Sequence, residues 1–161
     1  MSDCLSDELG VIERACFHAR RSHDVFRAVD STLQRLVGHR LLTVLVYDEA
    51  CTVATRIYSS DPATYPEGAT DPVASPAWAD QVLHWGLPFV GHREEELACV
   101  FAHHERLAFL GLGSVVNMPL RWQGRVLGSL NMLDAPERYA HIDIDVVRII
   151  AHMAVPALLA G

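Results

Sequence analysis

The stretch Gly113–Asp134, "GSVVNMPLRWQGRVLGSLNMLD", reads as two apolar strands joined by a tight turn, yet it carries Asn117, Ser129 and Asn131 among its aliphatic residues. The face on which those polar side chains land depends on how the turn is built. A two-residue loop, Gln123-Gly124 in a type I′ turn, requires positive φ at Gln123, a costly conformation for a residue other than Gly, Asn or Asp. A three-residue loop, Trp122-Gln123-Gly124, is a type I turn closed by a left-handed glycine; it strains nothing and is the preferred reading. It sets Arg121 opposite Arg125, Asn117 opposite Ser129 and Val115 opposite Asn131, so that the three polar side chains share one face. The other face is then Val116, Met118, Leu120, Val126, Leu130 and Met132, with Gly128 leaving room for a close neighbour. Under the two-residue loop Asn117 opposes Leu130 and the polar cluster splits. A buried amide without a partner costs about 1–3 kcal/mol, so the asparagines need backbone groups, water or a ligand.

Outward from this hairpin the chain alternates helical and strand patterns. Apolar residues recur at helical spacing from Ser6 to Arg20, and again through Phe26, Val29, Leu33 and Leu36 until Gly38. Leu41–Tyr47 and Val53–Ser59 read as a strand pair connected through 48–52. Residues 60–73 form a loop by composition, long enough to be a lid. Ser75-Pro76 opens a helix, with Ser as N-cap and Gly86 as the stop, and a strand over 87–90 follows. Residues 93–110 read as one or two short helices, and 142–159 as a long amphipathic helix interrupted by Pro156. Two-sided covering of the sheet, by long helices on its dry face and by the middle segment on its polar face, defines an α+β protein.

The 161 residues are 50% hydrophobic and 20% charged, which suits one globular domain over 1–161 with a helical extension at about 1–23. A formal charge of -7 argues against a nucleic-acid partner. Without an export-type start or an apolar run of about 20 residues, the expectation is a cytoplasmic protein with no membrane partner. Cys4, Cys16, Cys51 and Cys99 are dispersed and read as free thiols. His103 and His104, about 100° apart on a helix, cannot share a metal and read as surface histidines.

The element order, together with "SVVNMPL" and "GRVLGSLNML", resembles a GAF domain, the sensory fold related to PAS domains. Ser114, Pro119, Gly124, Gly128 and Leu130 carry the most specific part of that resemblance, and "SPAWADQVLHWGLPFVGHREEE" is similar to the family's middle segment. The resemblance implies a central six-stranded antiparallel sheet, with N- and C-terminal helices on one face and a ligand pocket roofed by loops and short helices on the other. It further implies a small-molecule ligand, a homodimer through the terminal helices and output through that dimer or a partner signalling protein. A small polar or anionic metabolite is the expected ligand, and no cofactor is named, because the cyclic-nucleotide and bilin-attachment signatures are absent. The expected ligand-binding residues are Tyr58, Ser75, Trp78, Phe89, Asn117, Ser129 and Asn131, with Tyr65 nearby and the mouth of the Ser75-Pro76 helix as an anion seat. Two alternatives stand beside this reading. One is a dimerisation module with a vestigial pocket. The other is an enzyme resembling the free methionine-(R)-sulfoxide reductases, although Val115, Asn131 and Leu133 stand where that branch has carboxylates and only Cys99 offers a thiol in the middle segment.

Overall fold

The computed structural model describes residues 2–161; Met1, where the expected domain begins, lies outside the described residues. Helices α1 (Ser2–His18) and α2 (Ser22–Leu36) come first. In α2 Val25, Phe26, Val29 and Leu33 form one buried stripe, and Gly38, at φ 89°, ends the helix by donating its N–H to the Leu33 carbonyl. Strands β1 (Leu41–Tyr47) and β2 (Val53–Ser59) begin and end where their apolar patterns do. Between them the Asp48 carboxylate accepts from the N–H groups of Thr52 and Val53 at 2.6 and 2.8 Å, closing the turn.

The middle segment departs from expectation twice. Residues 60–69 are a loop, but Thr70–Pro72 form an edge strand, β3, paired with Val53–Thr55. Three residues without an apolar alternation give no strand signal, and a proline that lacks an N–H is tolerated at such an edge. The helix opened by Ser75 is α-helical only over α3 (Pro76–Ala79); Asp80–His84 continue as a π turn, and Gly86, at φ 66°, stops it. Then come β4 (Phe89–Gly91), α4 (Glu94–Ala98), α5 (His104–Phe109), β5 (Ser114–Trp122), β6 (Arg125–Asp134), α6 (Ile144–His152) and α7 (Val155–Ala160). All strand pairs are antiparallel, in the order β3-β2-β1-β6-β5-β4.

The hairpin turn is the two-residue one: Trp122 pairs with Arg125, and Gln123 and Gly124 take φ of 47° and 78°. Continued without interruption, that register would split the polar cluster. A β-bulge intervenes, because Arg121 pairs with Val126 but Leu120 pairs with Gly128, leaving Leu127 as the extra residue. Beyond it Asn117 faces Asn131 and Met118 faces Leu130, so Asn117, Ser129 and Asn131 share a face after all, through the bulge rather than through the turn. Val126, expected on the apolar face, packs instead against the cluster of Trp78, Ala79, Val82 and Leu83, and Leu127 takes its place on the helical side.

Val116, Met118, Leu120, Leu130 and Met132 pack with Leu42 and Val44 against Ile12, Val29, Leu33, Val147 and Ile150 of the helical layer. The opposite face of the sheet is roofed by residues 65–107, where two smaller apolar clusters leave a cavity between them. None of the described helices is long and apolar enough to cross a membrane.

The left-handed Gln123 costs about 1 kcal/mol that asparagine avoids. Gln123→Asn is therefore expected to raise the melting temperature by about 2–4 °C in a thermal denaturation; an unchanged or lower value would mean that the glutamine is held by something other than the turn.

Candidate functional site

One transverse rank of the sheet builds the cavity floor. Thr43 pairs with Asn131, Asn131 with Asn117, and Asn117 with Phe89, so these four side chains stand on the same face of β1, β6, β5 and β4. The polar members bond to one another and to the roof. The Trp78 indole Nε1–H donates to Asn117 Oδ1 at 3.0 Å, Asn117 Nδ2–H donates to Asn131 Oδ1 at 2.8 Å, and Asn131 Nδ2–H reaches Thr43 Oγ1 at 3.4 Å. An indole can only donate, which fixes the Asn117 carbonyl toward it and turns its amide toward Asn131, giving the row one direction. The buried asparagines find their partners in each other and in Trp78.

This row predicts a coupling. Asn131→Leu leaves the Asn117 amide without its acceptor and is expected to cost about 1–3 kcal/mol. Asn117→Leu/Asn131→Leu together should cost less than the two single changes summed, by about 0.5–3 kcal/mol in a denaturant-melt cycle. Strict additivity would mean that the two amides do not act together.

The cavity itself measures about 70 Å³ and is lined mainly by apolar groups, with Trp78, Asn117 and Asn131 toward one end. Arg56, Tyr65, Asp71 and His103 also line it. Arg56 is 6% exposed; its Nη2 donates to Asp71 at 2.9 Å and its Nη1 to the Pro66 carbonyl at 3.1 Å, while its Nε is buried without a partner. Tyr65 lies under two guanidiniums, with Arg56 and Arg106 at 5.1 and 5.0 Å from its ring centre, and its hydroxyl is likewise buried and unpartnered. Burial pushes the Tyr65 phenol up from its ordinary value, against the pull of Arg106 and Arg56. Burial, with Arg56 and Arg106 nearby, also lowers the His103 imidazole below its usual value, against the opposing pull of Asp71.

Of the seven expected binding residues, Trp78, Asn117 and Asn131 line the cavity. Phe89 stands in the same rank one strand further out and packs on both roof clusters. Ser129 is fully buried and shares a 2.6 Å hydrogen bond with the hydroxyl of Tyr47, a wall residue. Ser75 lies outside the cavity lining and its hydroxyl is engaged as a cap, accepting from the Trp78 N–H at 3.2 Å, so the expected anion seat at its helix is not formed at the cavity. Tyr58 is on the other side of the sheet, where its hydroxyl donates to Asp30 at 2.6 Å and its ring packs near Phe26. The cause is a second bulge. From Tyr47↔Ala54 an unbroken register would bring Tyr58 opposite Thr43, but Ile57 is extra and Tyr58 pairs with Val44. His103, expected at the surface, is a cavity residue. Cys99 is exposed, and none of the four cysteines is among the lining side chains.

Sequence reasoning passes over Arg56 and places His103 at the surface, not at a cavity. Arg56 had a signal, a charge inside an otherwise uncharged strand pattern; His103 had none.

The fold has counterparts among solved structures. The phycoerythrobilin-bound GAF domain from a cyanobacterial phytochrome superposes with a TM-score of 0.74 at 15% identity, covering 99% of each chain. The GAF domain from the Acinetobacter phosphoenolpyruvate-protein phosphotransferase gives 0.68 at 13% identity over 98% of this chain and 92% of the other. A methyl-accepting chemotaxis protein structure gives 0.68 at 16% identity over 96% and 97%. At such identities the likeness shows the fold alone. No curated protein matches the sequence. The family profile described as "GAF domain" matches residues 22–158, and with six antiparallel strands, helices on one face and a roofed cavity on the other, the chain belongs to the GAF domain family.

Proposed function

We propose that this chain is a single non-catalytic sensory domain of the cytoplasm, spanning 1–161, that binds a small polar metabolite bearing an anionic group and reports its occupancy through a homodimer or a partner signalling protein. Arg56 carries the reading: a guanidinium buried to this degree, with an unpartnered Nε at a cavity whose other end offers an aromatic and two amides, suits a carboxylate or similar acceptor. Asp71 balances its charge, so the site also tolerates a zwitterion. A cavity of about 70 Å³ is smaller than the usual pocket for a drug-sized molecule and favours a small ligand. Trp78, Asn117 and Asn131 are the expected contacts at the amide end, with Phe89 and Ser129 behind them. Exposed Phe17, Ile149 and Leu159 on the helical layer support association there.

A thermal-shift series with formate, acetate, lactate, glycine and inorganic oxyanions tests this. A ligand at about 100 times its Kd adds about 2.7 kcal/mol, which in a domain of this size is a rise of about 5–11 °C. Arg56→Met should abolish the shift and keep the fold. No stabilisation by any member would reject the reading in favour of the dimerisation module, which one observation already favours: the amide row is satisfied internally.

A further inference from the structure

A groove of about 390 Å³ lies at the turn end of the β5–β6 hairpin, apart from the cavity and sharing none of its lining residues. Its walls include Trp85, Trp122, Arg121 and Arg125. We propose that this groove is a docking site for an acidic segment of a partner protein, one that carries an aromatic or aliphatic side chain between its carboxylates.

Trp85 is 68% exposed and Trp122 43%, whereas Trp78 is buried. Two open indoles on one groove are the side chains that most often anchor protein interfaces. The charge around them is the reverse of the chain's overall -7. Seven arginines sit on carboxylates, namely Arg21, Arg35, Arg40, Arg56, Arg93, Arg138 and Arg148. Arg121 and Arg125 have no such partner among the described residues, and the nearby Asp80 carboxylate is held by His84 at 2.9 Å. Two free guanidiniums beside two indoles complement carboxylates flanking an apolar side chain.

The backbone here is irregular in three ways, each of which re-aims a neighbouring side chain. Gln123 is left-handed, Leu127 is bulged, and the π turn Asp80–His84 leads directly into Trp85. A peptide is favoured over a single-stranded nucleic acid, which would also stack on indoles, because a run of phosphates meets only two free cations here on a strongly acidic protein.

The chain has three tryptophans, so three indole N–H signals report the outcome in a ¹H–¹⁵N spectrum of the intact protein. The probe is a twelve-residue peptide alternating Glu and Asp with Phe and Leu, beside its Gln/Asn counterpart. The Trp85 and Trp122 signals should shift saturably with the acidic peptide, while the Trp78 signal, bonded to Asn117, stays in place and certifies the fold. Arg121→Glu/Arg125→Glu, or the neutral peptide, should weaken binding at least tenfold. The proposal is overturned by the absence of any shift at millimolar peptide, or by equal binding of the charge-reversed variant. It also falls if a dodecathymidylate shifts the same signals more strongly, or if they shift with protein concentration alone, which would assign the groove to nucleic acid or to a second copy.

Discussion

Trp78→Ala is expected to lower the melting temperature by about 6–20 °C. Removing a buried tryptophan costs about 3–5 kcal/mol, and in a domain of this length each kcal/mol moves the midpoint by about 2–4 °C. Two losses combine. The indole is 8% exposed and packs at 6.2 Å from the Tyr47 ring and 6.3 Å from Phe101, so its removal opens the cavity toward both. Its N–H is also the donor that orients Asn117, and without it Oδ1 is left unpartnered in a buried site. The hydrogen bond separates from the packing with Trp78→Phe, which should cost less than half as much. Free indole, which has the shape and the N–H of the missing group, is expected to recover part of the loss in Trp78→Ala and none in the parent. A melting temperature within 2 °C of the parent would mean that Trp78 does not close the cavity.

The sheet and its two coverings were legible because runs rich in aliphatic and β-branched residues ended at clear breaks. Leu41–Tyr47 and Val53–Ser59 needed no correction. Side-chain facing within those strands was less legible, because a bulge inverts the alternation and leaves no composition signal of its own. Ile57 sends Tyr58 to the helical face, while Arg56, just before it, keeps the cavity face. Leu127 undoes the parity error of the misread turn, so the polar trio was placed together for the wrong local reason. The roof was the least legible part. Its short helices and three-residue strand are set by tertiary contacts rather than by propensity, and Tyr65, Phe101 and His103 reach the cavity from segments with no periodicity to read.

Gly128→Ala tests what holds the floor together. A Cβ at this position would lie 2.5 Å from the carbonyl oxygen of Leu45, a backbone atom of the paired strand that cannot turn aside as a side chain would. Overpacking a core costs about 1–3 kcal/mol when side chains can adjust. Here the strain falls on the β1–β6 joint, which links the two halves of the sheet, β3-β2-β1 and β6-β5-β4. The expected loss therefore exceeds about 3 kcal/mol, a drop of more than about 6–12 °C in the melting temperature. Widening that joint also separates Thr43 from Asn131, the one place where the polar row crosses from one half-sheet to the other, so the Asn131 amide signals should broaden along with the loss of stability. Gly124→Ala is the informative contrast. That position has a left-handed backbone at φ 78° but nothing within 4 Å of an added Cβ, so it should cost only about 1–2 kcal/mol for the backbone. If the two substitutions cost the same, the close approach of β6 to β1 is not what fixes the spacing of the floor.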